Sequence, residues 1–178
     1  MNNSISILDI VHDTTVDGPG FRTAIYAAGC QHKCQGCHNP QSWDIHNGTL
    51  RSIDWILEQV KEAEFADVTF TGGDPLMQPD AFTELAKRIR KETDKTIWCY
   101  TGYKFEQIIQ FDSLSQILPY IDVLVDGRFF ENLYKESLRF AGSTNQRLID
   151  ITKTLETGRI TMWTPAFSSI PYKKGVLI

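Results

Sequence analysis

The 178-residue chain reads as an α/β protein, built on an open, partial (β/α) barrel with a mainly parallel sheet. Three observations predict this. Four short runs rich in β-branched and aromatic residues each lead to a glycine. Helical patterns, not hairpin turns, separate them. The chain is also shorter than the roughly 250 residues that a closed eight-unit barrel takes. Strands joined by helices run parallel through right-handed crossovers, so helices cover at least one face and ligands gather at the carboxyl ends of the strands.

The first run is Phe21–Ala28, leading to Gly29. Behind it, Ser52 is a candidate N-cap for a helix that places Ile53, Ile56, Leu57, Val60 and Ala63 on one face. The second run, Asp67–Thr71, ends at Gly72–Gly73, and Pro79 opens a helix with Phe82, Leu85, Ala86 and Ile89 inward. The third run, Thr96–Tyr100, leads to Gly102, after which Tyr103–Leu118 holds a helix or a broken pair. The fourth, Ile121–Val125, leads to Gly127. Beyond Gly142 the pattern weakens: Ser143–Thr157 is polar, Arg159–Trp163 is a candidate strand, and the chain after Pro165 reads as an arm or tail. Residues 1–178 are thus expected to form a single domain, with about 151–178 as a C-terminal arm.

Hydrophobic residues make up 42% and charged residues 22%, which is ordinary globular composition with material for one core. A net charge of −4 supplies no field to hold a polyanion, so nucleic acid is not an expected partner. The first twenty residues carry Asp9, Asp13 and Asp17 and no basic stretch leading into an apolar run, so no secretory signal is expected. No apolar stretch approaches the roughly 20 residues that span a bilayer. A cytoplasmic protein with no membrane partner is expected, and in that reducing compartment clustered cysteines more often bind metal than pair.

Three of the four cysteines fall in Cys30-x3-Cys34-x2-Cys37, directly after the first strand. Such spacing also suits one stripe of a helix, but Gly29, Gly36 and Pro40 bracket or interrupt it with the worst helix formers. A loop remains, and its thiols converge on a zinc ion or an iron–sulfur cluster. Structural zinc takes a fourth protein ligand, for which His32, His38 and Cys99 are candidates. A cubane held by three cysteines leaves one iron open, and an open corner implies chemistry there.

The cysteine loop resembles the CxxxCxxC signature of the radical S-adenosylmethionine enzymes. That resemblance implies a radical S-adenosylmethionine fold and a [4Fe-4S] cluster held by Cys30, Cys34 and Cys37. It further implies S-adenosylmethionine bound at the open iron and cleaved reductively to methionine and a 5′-deoxyadenosyl radical. Gly36, Cys37 and His38 are implied as cofactor-binding residues in and beside the signature. Thr71-Gly72-Gly73-Asp74-Pro75 is similar to the family's Gly-Gly-Glu-Pro segment, where glycines let backbone approach the methionine amino group; Asp74 stands where a Glu is usual. Taken alone, the segment reads as an ordinary βα turn. Tyr100-Thr101-Gly102-Tyr103 and Val125-Asp126-Gly127-Arg128 lie where related activating enzymes place groups near the adenosine, making Thr101 and Asp126 candidates, although each also reads as a turn residue. Tyr100 occupies a position usually held by an acid. Cys99, inside a strand, reads as a buried thiol.

Asp17-Gly18-Pro19-Gly20-Phe21-Arg22 resembles the segment before the cluster in enzymes that install a glycyl radical on a partner, and it also reads as a Pro-Gly turn into a strand. His38-Asn39-Pro40 and Trp43 continue the resemblance. Trp98–Glu106, Asp122–Phe129 and Arg139–Arg147 resemble activases of the oxygen-sensitive, anaerobic ribonucleoside-triphosphate reductase, and the likeness runs from about Asp9 to Asp150. It implies that reductase as protein substrate and an external electron donor such as flavodoxin. No catalytic acid or base is assigned. Two alternatives stand beside this reading: activation of another glycyl-radical enzyme of the pyruvate formate-lyase type, and a non-catalytic zinc module that docks to a partner.

Overall fold

The computed structural model describes residues 3–165, so the expected tail after Pro165 lies outside the described residues. The strands are β1 (Ser4–Thr14), β2 (Arg22–Ala27), β3 (Thr49–Ser52), β4 (Asp67–Gly72), β5 (Ile97–Tyr100), β6 (Val123–Asp126) and β7 (Arg147–Asp150). They form one sheet in the order β3-β1-β2-β4-β5-β6-β7. The four expected strands are its centre: β2, β4, β5 and β6 run parallel. Three strands outside the expected set flank them. β1 runs antiparallel to both β2 and β3, and β7 antiparallel to β6. The architecture is therefore α/β with an open sheet, parallel in the middle and antiparallel at both sides.

Side-chain alternation divides the central strands between two faces. Ile25, Ala27, Val68, Phe70, Ile97, Cys99 and Leu124 join one apolar core, which α1 (Ile53–Glu62) and α2 (Pro79–Glu92) cover with Ile56, Leu57, Val60, Phe82, Leu85 and Ile89. Burying each such large side chain is worth about 1.5–3 kcal/mol, so this core carries most of the stability. Ser52 caps α1 as expected, its Oγ accepting from Trp55 N at 3.2 Å. Gln78, just before α2, bridges β1 and the end of β2: its amide Nε2 donates to Ser6 O and Ala28 O at 2.8 and 3.0 Å, and its Oε1 accepts from Ser6 N at 2.8 Å. The stretch between β5 and β6 is a broken pair of single turns, α3 (Phe105–Ile108) and α4 (Asp112–Ser115).

The segment read as polar, Ser143–Thr157, contains β7 and α5 (Ile151–Thr157). Asp150 Oδ1 caps α5 by accepting from Lys153 N at 3.0 Å, and Gly158, at φ 67°, ends it in the left-handed conformation. Both elements bury one side of a polar sequence, Ile149, Ile151 and Thr154, too few positions to announce a period. Arg159–Trp163, the candidate strand, contributes a single bridge between Met162 and Ile149.

The other face of the sheet carries Trp98, Val123 and Val125, packed with Tyr100, Phe140, Leu148 and Trp163. Arg22 lies on it at 0% exposure. Its Nε donates to Thr69 Oγ1 at 2.6 Å and its Nη2 to Val68 O at 2.5 Å and Thr96 O at 3.2 Å, while its guanidinium sits 5.4 Å from the Trp98 ring. Burial pulls its pKa down to about 10, opposed by Asp67, so it stays charged at neutral pH. Gly18 permits this packing, since a Cβ there would lie 2.5 Å from Arg22 Cδ. The Asp17–Arg22 segment is thus a turn pinned from beneath by its own arginine.

Arg22→Ala is expected to lower the unfolding free energy of the metal-free protein by about 3 kcal/mol or more, because one partner of a buried charged network is removed. Arg22→Lys should recover little of it, since an ammonium cannot reproduce the planar fork. Urea midpoints check both, and full recovery with lysine would contradict the assignment.

Candidate metal and cofactor site

The loop after β2 closes on itself through its backbone. Gly29 N donates to Ser42 O at 2.8 Å and Cys30 N to Trp43 O at 3.0 Å, so the residues between form a belt at the end of the strand. Within it Cys37 N donates to Cys34 O at 3.2 Å, and Gly36 at φ 71° supplies the third position of a type II turn. A Cβ on Gly36 would also lie 2.7 Å from Glu131 Cδ. Gly36 therefore shapes the loop that carries the thiols.

Cys30, Cys34 and Cys37 are half-buried and line one cavity of about 530 Å3. That is within the range of about 300–1,000 Å3 typical of small-molecule sites. It sits where the topology predicts, at the carboxyl ends of β2, β4, β5 and β6, and Gly72, Gly73, Thr101 and His38 share its wall. Burial pushes the Cys30 thiol up, opposed by the backbone amides of His32 and Lys33. Cys37 Sγ accepts from Asn39 N at 3.4 Å. Cys99 is elsewhere: fully buried in the helix-covered core, its thiol is pushed well up by desolvation. Three thiols on one cavity, one already accepting from an amide N–H, are a donor set that fits a metal–thiolate cluster. Among the described residues, no three His, Cys, Asp or Glu side chains are gathered to hold a single metal ion.

Gly72 and Gly73 are glycines for a reason the chain itself supplies. A Cβ on Gly72, at φ 98°, would lie 2.6 Å from Ala27 N, and one on Gly73 would lie 2.4 Å from Gly29 O and 2.9 Å from Ser42 O. Gly73 N donates to Ala27 O and Asp74 N to Gly29 O, both at 2.8 Å. The end of β4 and the cysteine belt thus touch backbone to backbone, and the same two glycines also border the cavity.

Asp74 is fully buried behind that wall. Its Oδ2 lies 2.8 Å from His32 Nε2 and accepts from Thr101 Oγ1 at 2.9 Å and Gly102 N at 3.0 Å, while its Oδ1 accepts from Leu76 N at 2.9 Å. Asp126, 1% exposed, is likewise engaged: Oδ2 accepts from Phe105 N at 2.8 Å, capping α3, and Oδ1 from Arg147 Nε at 3.0 Å. Arg147 also grips Glu106 through both carboxylate oxygens at 2.9 and 2.8 Å. The structure therefore brings Cys30, Cys34, Cys37, His38, Gly72, Gly73 and Thr101 around one cavity and sets Gly36, Asp74 and Asp126 behind it.

Residues not picked out as site candidates complete the wall. Asp17 enters from the turn before β2, its Oδ2 accepting from Tyr26 Oη at 3.3 Å and Thr14 Oγ1 at 3.1 Å. Tyr100 borders the same space and donates to Phe140 O at 3.0 Å. Gln146 and Phe129 approach from the segment between β6 and β7. Asp17 stands in the Asp-Gly-Pro-Gly motif and Gln146 in the Arg139–Arg147 stretch, so the resemblance marks their segments and not their side chains.

Residues 16–149 match the protein family described as "4Fe-4S single cluster domain". Similar proteins include the anaerobic ribonucleoside-triphosphate reductase-activating protein of Enterobacteria phage T4, 37% identical over 139 residues, which are 75% of this chain and 86% of that protein. The protein of the same name from Vibrio cholerae is 37% identical over 139 residues, covering 74% and 88%. That from Escherichia coli K12 is 36% identical over 140 residues, covering 74% and 89%.

Gly73→Ala is expected to push the cysteine belt off β4, so that iron retained per chain after anaerobic reconstitution falls severalfold while far-ultraviolet circular dichroism is kept; unchanged iron would contradict this packing. Arg147→Met strands the Asp126 carboxylate and should cost about 3 kcal/mol at pH 7, the low end for breaking a buried pair because Arg147 is 30% exposed. Glu106 is held down at about 2 by Arg147, against an ordinary 4.5. A lowered carboxylate pKa stabilises above the ordinary value. Glu106→Gln should therefore destabilise slightly at pH 7, with the gap to the parent closing as the pH falls from about 4.5 towards 2 in urea titrations.

Proposed function

Since the chain belongs to the family of anaerobic ribonucleoside-triphosphate reductase-activating proteins, built on a 4Fe-4S single cluster domain, we propose that it activates such a reductase by generating a glycyl radical on it. Cys30, Cys34 and Cys37 hold the cluster in this reading, and the cavity they border takes S-adenosylmethionine. When bound, these groups supply the chemistry: one electron cleaves S-adenosylmethionine to methionine and a 5′-deoxyadenosyl radical, which removes hydrogen from a glycine of the reductase. The chain is accordingly a radical S-adenosylmethionine oxidoreductase on the corresponding partial-barrel fold.

The convergence of three half-buried thiols on a cavity at the open strand ends carries the reading. The protein's own work is to bind and orient. The thiolates fix the metal; Asn39 N–H supports the Cys37 sulfur; Gly72 and Gly73 let the end of β4 meet the cysteine belt backbone to backbone at the cavity wall. Thr101 offers the cavity an oxygen whose proton is committed to Asp74. Asp74 and Asp126 act as positioning residues, the first holding the belt against β5 and the second holding α3 against β7. His38, tilted 4.7 Å from Phe129, closes one side. Hydrogen transfer from a backbone glycine asks for no acid or base, and none is assigned. The electron comes from an external donor such as flavodoxin. No helix among the described residues is long and apolar enough to cross a membrane, and we place the reaction in the cytoplasm.

Anaerobic purification is expected to give a brown protein with about four irons and four sulfides per chain. Mixed with an anaerobic ribonucleoside-triphosphate reductase, S-adenosylmethionine and a strong reductant, it should produce a glycyl signal in electron paramagnetic resonance. Cys34→Ala should abolish both cluster and signal. A colourless protein holding one zinc, or a signal that survives in Cys34→Ala, would contradict the reading.

A further inference from the structure

Beside the cavity that the three thiols share lies a smaller one of about 250 Å3, and the two run together: Val16, Asp17, His38, Tyr100 and Gly142 line both. The rest of the smaller wall comes from the loop 134–141, of which Lys135, Glu136, Leu138 and Ala141 border this space and not the larger cavity. Val16, Tyr134, Lys135 and Glu136 are exposed. The smaller cavity is thus a side groove that leads from the thiol site to the surface.

Both walls of the groove are built to hold their shape. Tyr134 and Ser143 form an antiparallel bridge, and Thr144 N donates to Leu133 O at 2.9 Å, so the loop between them leaves and rejoins the fold at one point. Phe140 stands at φ 60°, in the left-handed region that bulky side chains rarely adopt. Its ring packs edge-on against Trp98, ring centres 5.5 Å apart, and its carbonyl accepts from Tyr100 Oη at 3.0 Å. Backbone strain of this kind persists only where the surroundings fix it, and it collects at ligand clamps. On the opposite wall, Thr14 and Tyr26 hold the Asp17 carboxylate.

The hydrogen removed in the proposed reaction sits on a main-chain carbon, so the peptide has to run away from the reacting atom in both directions. A cavity occupied by cluster and cofactor leaves it no room to do so, whereas a groove continuous with that cavity does. Resting on that reading, we propose that the side groove receives the extended main chain adjoining the target glycine of the reductase, with Leu138 and Ala141 setting how closely that segment passes. Its lining suits this occupant: exposed Lys135 and Glu136 rim it, half-buried Leu138 and Ala141 line it, and so small a space takes backbone and small side chains.

Ala141→Leu adds bulk to the groove at a position that does not border the cofactor cavity. Reconstituted anaerobically, it is expected to hold the same iron and sulfide as the parent and to bind S-adenosylmethionine as tightly. The reductase concentration that half-saturates glycyl radical formation, read by electron paramagnetic resonance, should rise about tenfold. An unchanged reductase dependence in the fully loaded variant would overturn the role of the groove and leave the cofactor site standing. A fall in S-adenosylmethionine affinity would overturn it as well, by giving the groove to the cofactor, while a parent that forms no glycyl radical would remove the underlying reading too. If Ala141→Leu does not fold, hydrogen exchange of the loaded parent decides: a synthetic peptide spanning the target glycine of the reductase should slow exchange at the amides of 135–142, and unchanged exchange there would overturn the proposal.

Discussion

One buried carboxylate holds the open end of this sheet together. Asp74 sits at the tip of β4 with no exposure and takes hydrogen bonds from His32 in the cysteine belt, from Thr101 and Gly102 at the tip of β5, and from Leu76 at the start of the next turn. A buried charge is tolerated only where its lone pairs are filled, and here four donors from three segments fill them. The carboxylate thereby fixes the distance between the loop that carries the thiols and the strand that forms the far wall. The Gly73–Gly29 contact sets the same relation by sterics, since no side chain fits between them.

A similar arrangement recurs lower in the sheet and at its other edge. Arg22 is the buried cation that ties β2, β4 and β5 on the helix-free face, and Arg147 ties β6 to β7 and α3. Arg22 spends its donors on neighbouring strands of the helix-free face, whereas Arg147 and Asp126, in step with Ile149 and Leu124, tie β6 and β7 to α3 on the helix-covered side. The helix-free face must stay partly polar, and it is there that the cavity, Asp17, Tyr26 and Tyr100 are found.

The sequence makes the parallel centre legible because buried parallel strands are short apolar runs, and a glycine closes each where backbone must turn or approach closely. The trio of thiols is legible because all three lie within one loop. The flanking strands are not. Every residue of β3 is exposed, β1 is buried only near its start, and β7 buries Ile149 alone, so none carries a full apolar period. The role of Asp74 is hidden for a different reason. Its partners His32 and Thr101 lie 42 and 27 residues away, and nothing local distinguishes a carboxylate that meets a ligand from one that meets its own chain. Asp126 is masked in the same way by Arg147, 21 residues on.

In the proposed reaction three thiolates leave one iron of a cluster free for a ligand. Mössbauer spectroscopy of the chain reconstituted anaerobically with 57Fe, recorded before and after addition of S-adenosylmethionine, shows whether they do. One iron of the four is expected to separate from the others and to change its isomer shift when the ligand binds. Spectra that do not respond, from a cluster whose irons all keep protein ligands, would contradict it.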